Sequence, residues 1–133
     1  MRHFIAYHNT DHMGRPLHDG DPLRLLTNKT VQHLLHNVVW FVQGDGKSPK
    51  KYSLGSVFVV SETGETGDSD FKWYARGHGH IFQPIVPLDD LEWFPDFLKA
   101  MTNFSRGVAE LQDVPFIENL LALATDTGFE FAE

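Results

Sequence analysis

His78 and His80 stand two residues apart in the run Gly77-His78-Gly79-His80, and the 133-residue chain holds eight histidines in all. On a β-strand, positions i and i+2 share a face, so these two imidazoles can meet one metal ion or one ligand group. A metal site needs more than two ligands. Phe82, Gln83, Pro84 and Ile85 follow where a carboxylate would serve, and the next acid is Asp89. His8 or His12 of the first loop would complete a small metal-dependent hydrolase. The ligand set is incomplete in identity and number, so solvent-facing or hydrogen-bonded core histidines are the simpler reading, and neither metal nor cofactor is expected.

Other candidates for chemistry fall short. Gly46-Lys47-Ser48 has the ending of a phosphate-binding loop, but position 41 is Phe where that loop needs glycine, and Pro49 stands where its helix would begin. His8-Asn9-Thr10 matches one of the two H-x-T motifs of the 2H phosphoesterases, and no other histidine is followed by Thr two positions on. There is no cysteine, and no serine sits in G-x-S-x-G. Asp89, Asp90, Glu92 and Asp96 cluster at an expected helix start, where they favour the helix dipole. No catalytic residue is assigned.

The aromatic and basic residues are more suggestive of binding. Trp40, Tyr52, Trp73 and Tyr74 offer flat faces on which a base can stack. Trp73 alternates with Lys72, Tyr74 and Arg76, so one strand there can line a groove, and Lys47, Lys50, Lys51 and Arg76 can reach phosphates. Trp40, inside Val38-Val39-Trp40-Phe41-Val42-Gln43, has apolar neighbours that favour the core. The net charge of −7 excludes broad, non-specific attachment to nucleic acid, which depends on phosphate neutralisation, while leaving room for a local basic rim.

These residues need elements to hold them. Residues 2–8 alternate as a strand, and 9–22 carry the Asn, Asp, Gly and Pro of a long loop. Val31, Leu34, Leu35 and Val38 follow helical spacing, which predicts a helix from Thr27 or Asn28 to about His36. Val38–Gln43 and Tyr52–Val60 read as an antiparallel hairpin around a lysine-bearing loop. Tyr52, Leu54, Phe58 and Val60 are expected on one face, and Gly55 marks a bulge or a close approach. Residues 61–70 read as an acidic loop, residues 71–76 and 78–83 as two strands broken at Gly77 and Gly79, and Pro84 and Pro87 as the end of the sheet. Two helices follow, over about 95–104 and from Pro115 to about Thr125.

The expectation is one α+β domain over residues 1–125, a curled and mostly antiparallel sheet with one helix after the first strand and two C-terminal helices, then a loose tail over 126–133. The longest apolar run is too short to span a bilayer, no signal peptide is read, and the absence of cysteine suits the cytoplasm. No membrane partner is expected.

The hairpin Val39-Trp40-Phe41-Val42 and Tyr52-Ser53-Leu54-Gly55-Ser56-Val57, followed by the Pro-containing segment 82–88 and C-terminal helices, resembles the PUA-like superfamily, in particular its EVE and YTH-type domains. The resemblance implies a small curled β-barrel that binds RNA or modified bases through an aromatic pocket and a basic rim. Carried onto this chain, it implies a pocket from Asn9, Trp40, Tyr52, Trp73 and Tyr74, and a rim from Lys47, Lys50, Lys51 and Arg76. The leading expectation is a non-enzymatic module for a nucleotide, a modified base or a short nucleic acid. The alternatives are the histidine-based metal hydrolase and a protein-interaction subunit, including self-association into a homo-oligomer.

Overall fold

The apolar run from Val38 becomes an inner strand of a six-stranded sheet, and its two faces feed two separate cores. The structure, a computed structural model, describes residues 1–9, 23–45, 51–67, 71–102 and 108–129. The strands are β1 (His3–Asn9), β2 (Leu23–Thr27), β3 (Val38–Asp45), β4 (Lys51–Glu65), β5 (Trp73–Pro87) and β6 (Val108–Leu111). Their order across the sheet is β2-β5-β4-β3-β1-β6. Only β1 and β3 run parallel; the other neighbours are antiparallel.

Alternation along the strands assigns the faces. Ile5, Trp40, Val42, Leu54, Val57 and Phe82 pack on one side against α1 (Phe94–Ala100) and α2 (Val114–Asp126), through Phe94, Phe97, Leu120 and Ala124. Phe4, Ala6, Leu25, Val39, Phe41 and Phe58 point to the other side, where Val31 and Leu34 cover them. The sheet curls around this second core. Lys29, just past β2, donates to the carbonyl of Val108 in β6 at 3.1 Å, so the two outermost strands approach each other. The result is a curled, mostly β half-barrel with two helices packed against one face of the sheet.

Several elements differ from expectation. In place of a helix over 27–36 there is a single 3-10 turn, Gln32–Leu34. Leu35 is extended (φ −56, ψ 129) and His36 takes the left-handed region at φ 66, so the turn cannot propagate. Asn37 then closes it from outside: its amide donates to the carbonyl of His33 at 2.8 Å and its Oδ1 accepts from the Arg2 N–H at 2.9 Å. Val31 and Leu34 are buried as the periodicity required, whereas Leu35 is exposed and Val38 belongs to β3.

Gly55 is indeed a bulge. Leu54 pairs Val42 while Ser56 pairs Phe41, which leaves Gly55 unmatched. It is also a close approach, because a Cβ there would lie 2.6 Å from the Gln43 amide nitrogen. The extra residue shifts the alternation by one. Tyr52 and Leu54 therefore face the helices while Phe58 and Val60 face the second core, and the expected shared face does not exist.

The acidic stretch after Val60 continues β4 as far as Glu65, and Trp73–Pro87 is one unbroken strand that contains both glycines and Pro84. Neither β2 nor β6 was expected. At the C-terminus, α2 reaches Asp126 and the chain stays docked through Phe129, whose N–H donates to the carbonyl of Ala124 at 3.0 Å and whose ring packs on the helix-side core. The expected loose tail is thus held at residues 126–129. Among the described residues, no helix is long and apolar enough to cross a membrane.

Candidate functional site

β2 pairs with β5 only from Trp73 to Gly77. Beyond Gly77, among the described residues, the edge of β5 away from β4 has no strand beside it. A groove of about 970 Å³ opens there, lined by Glu62, Arg76, His78, His80, Gln83 and Thr127 among others. The Gly-His-Gly-His run explains its shape. A Cβ on Gly77 would collide with the carbonyl of Val59, and one on Gly79 with that of Val57. Glycine is required on that side because the two strands approach too closely for a side chain. The alternate positions 76, 78 and 80 carry all the chemistry of the segment.

At one end of the groove Glu62 joins two partners from β5. Tyr74 donates its hydroxyl to Glu62 Oε2 at 3.1 Å, and Arg76 forms an ion pair with the same oxygen. The Arg76 guanidinium lies 5.8 Å from the Tyr74 ring centroid, so its flat face is held beside an aromatic one. The hydrogen bond to the Glu62 carboxylate holds the Tyr74 hydroxyl above the ordinary phenol value, because that bond exists only while the hydroxyl keeps its proton. The ion pair is open to solvent, with side-chain exposures of 56% for Arg76 and 43% for Glu62.

At the other end His80 is fixed by the docked C-terminal segment. Phe129 stacks on the imidazole with centroids 5.2 Å apart and planes within 6°, and Phe82 meets it edge-on at 5.0 Å. Thr127 Oγ1 lies 3.3 Å from His80 Nε2. His78, one step along the same strand face, is exposed.

The structure therefore brings together Tyr74, Arg76, His78 and His80, and separates them from the rest of the expected pocket. Trp40 is fully buried and donates its indole N–H to His3 Nδ1 at 2.9 Å, so it offers no face to a ligand. Tyr52 sits at the far end of the β4–β5 ladder. It is wedged between Tyr7 and Phe94, at 6.1 and 5.5 Å, with its backbone N–H bound to Asp89. Trp73 pairs Glu65 at the opposite end, roughly 40 Å along an extended strand at ~3.3 Å per residue. It faces the second core with the Lys72 ammonium 5.2 Å from its ring centroid. The pocket implied by Trp40, Tyr52, Trp73 and Tyr74 together is thus not assembled.

The basic rim divides in the same way. Lys51 is exposed at the Tyr52 end, opposite Asp45, while Arg76 is opposite Glu62. Lys47 and Lys50, the Gly46-Lys47-Ser48 segment and His12 lie outside the described residues, as do the side chains of His8 and Asn9. Among the described residues, no three His, Asp or Glu side chains gather into a metal-binding group. Sequence reasoning missed Glu62, assigned to a loop, and Thr127, assigned to the tail. Alternation alone would have turned Glu62 toward the second core with Phe58 and Val60; an irregularity in β4 between Val60 and Glu62 brings it opposite Arg76 instead, and no local signal pointed to Thr127.

No family model matches the chain, and no curated protein or solved structure does either.

Proposed function

We propose that the chain is a PUA-like binding module that holds a nucleotide, a modified base or a short nucleic acid in the groove along β5. The observation that carries this reading is the row Arg76, His78 and His80 on one face of a single strand, lining a groove of about 970 Å³ with Tyr74 beside it. Imidazole rings give a base flat faces to stack on and polar nitrogens to hydrogen-bond. The guanidinium matches a phosphate in two-point geometry. Arg76 is engaged with Glu62, but an exposed ion pair is worth only ~0–1 kcal/mol, so a phosphate can replace that carboxylate at little cost. The acidic neighbour and the net charge of −7 favour a ligand with one or two phosphates over a long polyanion.

The test is calorimetric titration with adenosine monophosphate and with a single-stranded tetranucleotide at two salt concentrations. The wild-type protein should bind both saturably and more weakly at high salt. Arg76→Ala should weaken binding at least about tenfold, the loss expected for one charge-assisted hydrogen-bond pair. A flat titration with every nucleotide would contradict the reading.

A further inference from the structure

The hydroxyl of Thr127 has one proton to give and two neighbours to receive it. Its Oγ1 is 2.8 Å from the carbonyl oxygen of Ala124 and 3.3 Å from His80 Nε2. A carbonyl oxygen only accepts, so the shorter contact uses the hydroxyl proton, and Thr127 turns a lone pair toward the imidazole. His80 Nε2 must then carry a hydrogen for the second contact to be a bond. In the neutral ring this leaves Nδ1 as the nitrogen with the open lone pair.

The ring is held in this setting. Phe129 stacks flat on one face and Phe82 braces it edge-on, at 5.2 and 5.0 Å. Gly128, at φ +92, makes the turn that lets Thr127 and Phe129 grip the same side chain, and the Phe129 N–H bond to the Ala124 carbonyl secures that turn.

We infer that Thr127 sets His80 in the Nε2–H tautomer, and that His80 Nδ1 is the acceptor by which the groove selects bases carrying an exocyclic amine. This rests on the nucleotide reading above. Of the neighbouring groups, Arg76 only donates and the Gln83 amide gives as readily as it takes, while the Glu62 carboxylate, whose Oε2 serves Tyr74 and Arg76, stands at the opposite end of the groove and offers an acceptor that does not change with the residue at position 127. Thr127 is a positioning residue in this scheme, acting on the ligand through His80.

The experiment has two arms on the full chain. Nitrogen-15 NMR of the imidazole rings reads the tautomer directly. Titration with adenosine monophosphate and with purine riboside monophosphate, which differ only by the 6-amino group, reads the selection. The wild type should show Nε2–H at His80 and bind the amino compound about tenfold more tightly, as expected for one hydrogen bond of this kind. Thr127→Ser should keep both properties. Thr127→Val should mix the tautomers and bring the two affinities together. An Nδ1–H ring in the wild type overturns the inference at its root, and an Nε2–H ring with equal affinities overturns the selection. Should Thr127→Val fail to fold, the wild type and Thr127→Ser still decide the matter through the same two readouts. If neither nucleotide binds, the nucleotide reading falls and the selection with it, while the tautomer result stands by itself.

Discussion

His3 and His80 each lie against an aromatic ring and each share a hydrogen with one neighbouring side chain, yet they work in opposite directions. His3 is half-buried beside Trp40, with ring centroids 6.2 Å apart, and its Nδ1 accepts the indole N–H. Its lone pair is consumed inside the protein. His80 lines a groove with its Nε2 against Thr127, and in the proposed tautomer its Nδ1 lone pair is open to a ligand. Partial burial against Trp40 ties the first imidazole to the protein's own packing. A strand edge with no neighbouring strand among the described residues, together with a docked chain end, makes the second a candidate for recognition. An imidazole's role here follows from which nitrogen the fold has already used.

Substitutions can break this comparison, and the largest effect belongs to the buried side. Trp40→Ala removes a fully buried indole and should cost about 3–5 kcal/mol in urea unfolding. Nucleotide affinity should fall only in proportion to the unfolded fraction. His3→Ala removes the acceptor for a buried N–H and should cost about 1–3 kcal/mol by the same measurement.

Next is the pH dependence. Burial first, and the nearby N-terminal ammonium second, hold His3 below the ordinary imidazole value. The unfolded chain therefore takes up a proton at higher pH than the folded one. Stability should be fully present above about pH 6.5 and should fall as pH drops from there through the lower folded value. Chemical unfolding between pH 8 and pH 5 should show this loss, and His3→Ala should flatten it. The smallest effect belongs to the groove: His80→Ala should change unfolding by about 1 kcal/mol or less, in the range of surface substitutions, while removing the preference for amino-bearing bases.

How much of this was legible in the sequence depended on whether a feature was local. The run from Val38 reads as an inner strand because it is apolar at every position, and it is one. Gly55 announced a bulge because a lone glycine in a strand has few other uses. His78 and His80 could be placed on a common face because the period of a strand is two, and Arg76 and Tyr74 extend the same row. The missed features are non-local. β2 and β6 are only five and four residues long, and partners distant in the chain hold them in the sheet. The helical spacing around Val31 and Leu34 was real, but those residues cover the second core from a single turn. The bulge at Gly55 reversed the faces beyond it, which alternation alone could not count. Thr127 joins the site from 47 residues away, by a contact no spacing rule encodes.

The most direct test of the central claim is a backbone amide NMR titration with adenosine monophosphate, which follows every region at once. Saturable shifts are expected at residues 76–81 and around Thr127, with Tyr52 and Trp40 unmoved. Shifts concentrated instead around Lys51 and Tyr52 or around Trp73, or no shifts at all, would contradict it.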